Sequence, residues 1–465
     1  MSKLESKLES KYIGIISDAW RGMRQSCYKE RPKNAKPCGE NKETVFRSFK
    51  DYEYEFGLLK DVDALNALIE PYLMAKTEFV DPPFEFSEYQ QVLTQILNEI
   101  KCIRRDYNSE EKAATGIDKY LGFSASPYPF QDSDYDYVDS ASGILRLMCN
   151  ALQLAEFEHT FNRDRKFLDD LKQPIIDTAL EAIDFLISSA IMDGKGARWT
   201  NLDVNKIRGE LSEGYKETAN LFFTRYASLA LLKAINTDKL SDEIGIEKRE
   251  TIKRLLQQVL RWTVDQADPQ APYFWMDNAR RLNSPVFSSM YATEIIYSLS
   301  GEKVNQNTQQ RCLASLKYVI KDVKNINDMS TKQTDFYYTV PDPFSKRMIL
   351  YNDRGYVGGF LSTLTMIKTK SPEVFDAEFE NVGKIVLDGL TSEWIDEPTK
   401  MWDDGYPFIC DTLEAMIGII SYVKGGIIKN LVIKETVLGT MIQEALASKD
   451  VVDQIVSQII KRIGE

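Results

Sequence analysis

The chain has 465 residues, of which 43% are apolar and 28% charged, with six cysteines, one histidine and a formal net charge of -12. That apolar share suffices for a full core, and the acidic balance argues against nonspecific binding to DNA or RNA, which needs clustered Lys and Arg. The six cysteines are too scattered for a disulfide framework, and several fall in apolar helical patterns where a reduced thiol acts as a small hydrophobe.

The opening "MSKLESKLESKYIGIISDAW" lacks the order of a signal peptide, and no apolar run reaches the roughly 18 residues of a membrane span. Cytoplasmic residence with no membrane contact is therefore expected. Residues 1–80 read as an N-terminal helical extension that either completes a sixth hairpin or caps the remaining helices. From about residue 81 to residue 426, helical periodicity dominates. "KFLDDLKQPIIDTALEAIDFLISSAIM" places Leu168, Leu171, Ile175, Ile176, Ala179, Ala182, Ile183 and Leu186 at three-and-four spacing. Residues 427–465 predict a closing helical hairpin.

Two kinds of helix alternate. One-sided, charged helices are predicted to start near residues 88, 166, 246, 306 and 373. Helices apolar on most sides are predicted near 139, 217, 286, 356 and 408. A helix apolar all round must be buried on most faces, whereas a one-sided helix can lie outside, so an inner ring wrapped by an outer ring is expected. The apolar helices also resemble one another. Phe223 is followed at fixed offsets by Ala227, Ser228, Leu231 and Leu232; Phe287 by Tyr291, Ala292, Ile295 and Ile296; Phe408 by Thr412, Leu413, Met416 and Ile417.

The segments "YKETANLFFTRYASLALLKA" and "APYFWMDNARRLNSPVFSSMYATEIIYSL" resemble the helical-hairpin repeats of the terpenoid cyclase and protein prenyltransferase toroids, and the rhythm suits the six-hairpin toroids of many glycosidases and lyases equally. The resemblance implies an all-α, (α/α)6-like toroid. It does not extend to the catalytic motifs. "QDSDYDYVDS" lacks the D-x-D-D acid, "DDLKQ" and "DDGYP" lack D-D-x-x-D, and no Cys/His set could hold zinc. No metal and no cofactor are expected.

What remains are acids and aromatics in the segments that precede the apolar helices. Asp403, Asp404, Asp353 and Asp277 are the candidate catalytic acids, since a glycosidase needs two carboxyls roughly 5–9 Å apart. Trp402, Tyr406, Trp275, Arg280, Arg354 and Asp139 are the candidate binding residues. The same residues read equally as helix caps and as plugs of the barrel end. With every catalytic motif missing, the leading expectation is a non-enzymatic binding or regulatory module that engages a protein or peptide partner. The alternative is a carbohydrate-active enzyme, a glycosidase or lyase taking an oligosaccharide. A degenerate terpenoid-type pocket for an apolar ligand comes third.

Overall fold

The computed structural model describes residues 3–30, 44–46, 58–75, 85–106, 119–123, 136–160, 168–201, 221–265, 285–300, 305–328, 337–341, 348–352, 357–393, 399–402 and 409–424, with a few single positions between them. The expected hairpin at 427–465 lies outside these residues.

The described residues form two sets of helices. The outer set is α1 (Lys3–Cys27), α3 (Phe86–Ile103), α5 (Lys172–Ser189), α8 (Ile246–Asp265), α10 (Gln306–Asp328) and α12 (Ala377–Asp388). The inner set is α2 (Leu58–Met74), α4 (Val138–Thr160), α6 (Leu221–Ile235), α9 (Pro285–Leu299), α11 (Val357–Lys370) and α13 (409–424). A short helix, α7 (Asp238–Ile244), links α6 to α8. The chain is an all-α toroid of helical hairpins.

Burial follows the sequence pattern. On α8 the buried residues are Ile252, Leu255, Leu256, Val259, Trp262 and Thr263, a single stripe at helical spacing. On α11 a continuous run from Val357 to Leu364 is buried, as an inner helix requires. Gly358 and Gly418 let α11 and α13 touch along their backbones: a Cβ on Gly418 would meet Gly358 O at 2.1 Å. One hydrophobic core runs from Tyr12 to Ile420.

The N-terminal helices belong to this ring. Trp20 Nε1 on α1 donates to Ala67 O on α2 at 2.7 Å. α2 packs between α4 and α13: Asn66 Nδ2 donates to Gly143 O at 3.1 Å, and Lys424 Nζ donates to Met74 O at 2.6 Å. Cys410 Sγ lies 3.0 Å from Asp63 Oδ2. Position 410 thus meets 63 and position 424 meets 74, so α2 and α13 run in the same direction.

The two ends of the ring differ. Links from an outer helix to the next inner helix carry antiparallel two-stranded ribbons: β1 (Tyr28–Glu30) with β2 (Thr44–Phe46), β3 (Arg105–Asp106) with β4 (Lys119–Tyr120), β5 (Ile191–Asp193) with β6 (Gly196–Arg198), and β7 (Tyr337–Pro341) with β8 (Met348–Asn352). After α12 an Ile395–Trp402 bridge takes this place. The "GKG" of residues 194–196 makes the β5–β6 turn, where Gly196 (φ +124) approaches Gln258 O and Trp262 of α8 too closely for a side chain. Of the outer helices, α8 and α10 begin at the expected positions, 246 and 306, whereas α5 and α12 begin later than their periodicity suggests. Leu168 takes a left-handed φ of 65, a 3-10 turn follows over Asp169–Leu171, and α5 starts only at Lys172.

Cys27, Cys149, Cys312 and Cys410 are free thiols, whereas Cys102 is disulfide-bonded, its partner lying outside the described residues. Disulfides persist in oxidising compartments, so the cysteines no longer support the cytoplasmic expectation. Among the described residues no helix is long and apolar enough to cross a membrane.

Candidate active site on the ring axis

Five of the inner helices each contribute a charged residue to a central cluster: Glu70 on α2, Arg146 on α4, Arg225 on α6, Glu294 on α9 and Glu414 on α13. These side chains meet in the middle of the ring. Arg225 Nε donates to Glu294 Oε2, and its Nη2 lies 3.3 Å from Glu294 Oε1 and 3.3 Å from Glu414 Oε2. Nη1 completes the second contact, 3.4 Å from Glu414 Oε1. One guanidinium therefore serves two carboxylates from different helices. On α11, a Cβ on Gly359 would press on Met290 Cε at 2.9 Å, with Glu414 Oε2 at an ordinary contact distance of 3.9 Å.

Aromatic rings cover the guanidinium. Arg225 Cζ lies 5.3 Å from the ring centres of both Tyr226 and Tyr291, within cation–π range. Phe222 packs on both, at 4.8 Å and 5.9 Å. Further along the axis stands a second polar layer. Arg146 Nε donates to Glu70 Oε2 at 2.5 Å, Lys233 Nζ to Glu70 Oε1 at 3.2 Å and Asn150 Nδ2 to Glu70 Oε2 at 3.2 Å. Asn150 Nδ2 also donates to Asn66 Oδ1 at 2.9 Å.

The two layers hold their protons differently. Burial raises the pKa of Glu294; Arg225 opposes this, the nearby Glu414 charge adds to it, and the net direction is upward. Burial also acts against the Glu70 carboxylate, but Arg146 and Lys233 overcome it and hold the pKa well below the usual range. The difference lies in charge count, because Glu70 has two cations to itself while Glu294 shares Arg225 with Glu414. Among the described residues no group of three His, Cys, Asp or Glu could hold a metal ion.

Most residues singled out from sequence alone are not among the described ones. Asp403, Asp404, Asp353, Asp277, Tyr406, Trp275, Arg280 and Arg354 lie outside the described residues. Trp402 is fully buried, and its Nε1 donates to Leu390 O at 2.7 Å. Trp199 does the same to Leu186 O at 2.8 Å, so each indole ties its link to the end of the preceding outer helix. Asp139 is half-buried at the start of α4, where its Oδ1 accepts from Ser140 N at 2.7 Å. Its neighbour Asp136 accepts from Leu121 N at 2.8 Å and Phe123 N at 2.7 Å, which fastens the β4 segment over α4. Sequence reasoning passed over the axial charges, although Glu294, the single charge in "PVFSSMYATEIIYSL", was a signal for one of them.

No protein-family model matches the chain, and neither does any curated protein. Solved structures do. A D-mannose isomerase aligns with a TM-score of 0.53 at 10% identity, covering 89% of this chain and 96% of that one. A family 76 glycoside hydrolase (mannosidase) from Bacteroides thetaiotaomicron aligns at 0.51 and 10% identity, covering 90% and 99%. A cellobiose 2-epimerase from Bacillus thermoamylovorans aligns at 0.50 and 9% identity, covering 88% and 98%. At these identities the likeness establishes the fold, an α/α toroid.

The non-enzymatic module engaging a protein or peptide partner, the leading expectation from sequence, is corrected by these matches. It does not stand, because the matched toroids are by name sugar-processing enzymes.

Proposed function

We propose that the chain is a carbohydrate-active enzyme, a glycosidase whose reaction takes place on the ring axis. The observation that carries this reading is the convergence of Glu294 and Glu414 on Arg225. Their facing oxygens both lie 3.3 Å from Nη2 and so stand at most twice that distance apart. This spacing suits the retaining geometry, with carboxyls about 5–5.5 Å apart, better than the inverting one at about 6.5–9.5 Å.

Glu294, whose proton is held above the usual range, is the general acid. It gives that proton to the glycosidic oxygen as the bond to the anomeric carbon breaks. Glu414 acts as nucleophile, one carboxylate oxygen forming the new bond to that carbon. Water then attacks the same carbon, Glu294 recovers a proton from it, and Glu414 leaves as carboxylate. Arg225 positions both groups.

Asp403, Asp404, Asp353 and Asp277 enter this reading from their place in the sequence, each shortly before an inner helix. We assign them, with Trp275, Arg280, Arg354 and Tyr406, to substrate contacts at the entrance. The test is a panel of neutral oligosaccharides incubated with the wild type and with Glu294→Gln and Glu414→Gln. Release of reducing ends by the wild type and its loss in both variants supports the reading. An unsaturated, absorbing product would assign a lyase instead, and no product at all would remove the enzyme reading.

A further inference from the structure

We infer that the sugar favoured on the axis carries a carboxylate, as a uronic acid does, and that Arg146 receives it. The inference rests on the sugar-processing reading above and adds the chemical class of substrate. Its first support is the pattern of burial along α4. Every residue from Ser140 to Leu152 is buried except Arg146, whose side chain keeps 20% of its surface. α4 packs against α2, α5 and α6, so the side left open is the one that faces the axis. Lys233 on α6 and Glu70 on α2 border the same space, with 23% and 14% of their side chains open.

The second support is a set of unused donors. Arg146 is anchored through one nitrogen alone. Its Nε donates to Glu70 Oε2 at 2.5 Å, whereas Nη1 and Nη2 have no hydrogen-bond partner among the described residues and are not sealed from solvent. Lys233 Nζ likewise uses one of its donors on Glu70 Oε1, at 3.2 Å. Glu70 therefore fixes two cations in place and leaves their outer donors open. Two parallel N–H groups on a planar guanidinium match the two oxygens of a carboxylate, and the ammonium beside them adds to the attraction.

The third support is the balance of charge. Arg146 belongs electrically to the reaction site: its charge acts on both Glu294 and Glu414. Across the two polar layers Arg146, Arg225 and Lys233 face Glu70, Glu294 and Glu414. With Glu294 protonated as the general acid, the cations outnumber the carboxylates by one, and a carboxylate on the ligand makes the two sets equal. Asp139 does not fill that place, because it stands seven residues before Arg146 on α4, about 10 Å nearer the entrance. Two neighbouring hydroxyls of a neutral sugar also fit the Arg146 fork, so neutral sugars bind there, but more weakly.

The test is isothermal titration calorimetry of the wild-type chain with D-glucuronate against D-glucose, with D-mannuronate against D-mannose, and with acetate. Each pair shares one ring and differs only in a carboxylate replacing an alcohol. In at least one pair the uronate should bind about 10- to 100-fold more tightly than its neutral counterpart, the worth of a charge-assisted contact, and more tightly than acetate. No preference in either pair overturns the inference. Acetate binding as tightly as the uronate also overturns it, since the site would then hold an adventitious ion only. Arg146→Lys keeps a counter-charge for Glu70 but lacks the fork, so it should lose most of the preference; a variant that retains all of it contradicts the role of Arg146. Should that variant fail to fold, salt reads out the same contact in the wild type. Raising NaCl from about 0.05 M to about 0.5 M should weaken uronate binding and leave hexose binding level, and an equal response of the two overturns the inference. A uronate preference without any glycoside cleavage would remove the glycosidase reading alone, and cleavage without that preference would remove this inference alone.

Discussion

Arg225 Nη2 stands 3.3 Å from Glu414 Oε2, although 189 residues separate the two in sequence. The same nitrogen is also 3.3 Å from Glu294 Oε1, so one side chain draws α6, α9 and α13 toward the axis. A buried contact of this kind contributes little net stability while intact, yet its partial removal is costly. That asymmetry separates structure from function experimentally.

Arg225→Met alone should destabilise the fold by about 3–5 kcal/mol, because it leaves the buried Glu294 and Glu414 side chains without the guanidinium that both contact. The triple change Arg225→Met, Glu294→Gln and Glu414→Gln should recover most of that loss, while catalysis stays absent. Urea unfolding midpoints decide the matter. A triple variant as unstable as the single one would show that the charges hold the ring together.

Glu294 and Glu70 should move stability with pH in opposite directions. The folded chain holds the Glu294 proton more tightly than an ordinary glutamate at 4.5, so its contribution is present below that value and is lost as pH rises through the raised folded value. The Glu70 contribution is present above 4.5 and is lost as pH falls toward its lowered folded value. Glu294→Gln should therefore flatten the decline in stability toward neutral pH, and Glu70→Gln the decline in acid. Unfolding midpoints compared from about pH 4 to about pH 8 check both slopes.

Trp199→Phe and Trp402→Phe each remove an N–H that satisfies a buried carbonyl, Leu186 O or Leu390 O. Each should cost about 1–3 kcal/mol in thermal or urea unfolding. A loss of sugar binding at unchanged stability in Trp402→Phe would assign that indole to the substrate.

Asp403 and Asp404 should serve function without holding the fold. Loss of a simple helix cap costs about 0.5–2 kcal/mol on replacement by Ala. The double change Asp403→Asn with Asp404→Asn should instead leave stability level or higher and weaken substrate turnover. A sharp fall in melting temperature with turnover intact would make both acids structural.

The architecture was legible because burial imposes periodicity. The apolar positions after Phe223 and Phe287 recur at the same offsets, and Ala227, Ser228, Leu231, Ala292, Ile295 and Ile296 are all fully buried. Inner helices expected near residues 139, 286, 356 and 408 begin at Val138, Pro285, Val357 and residue 409. The site was harder to read, for a physical reason. Glu294 and Glu414 stand on different helices 120 residues apart, so they form no local motif, and their pairing depends on ring closure. Loop acids stand together in sequence and attract notice first. The lone charge inside "MYATEIIYSL" was the available clue for Glu294, and it reads as a mere interruption until the ring brings the axial charges together.

The most direct test of the central claim is the rate of cleavage of neutral oligosaccharides by the wild type and by Glu294→Gln, at matched fold stability. The wild type should release reducing ends at a measurable rate, and that rate should fall about 10²–10⁴-fold in the variant as the general acid is lost. Equal rates in the two proteins would contradict the claim.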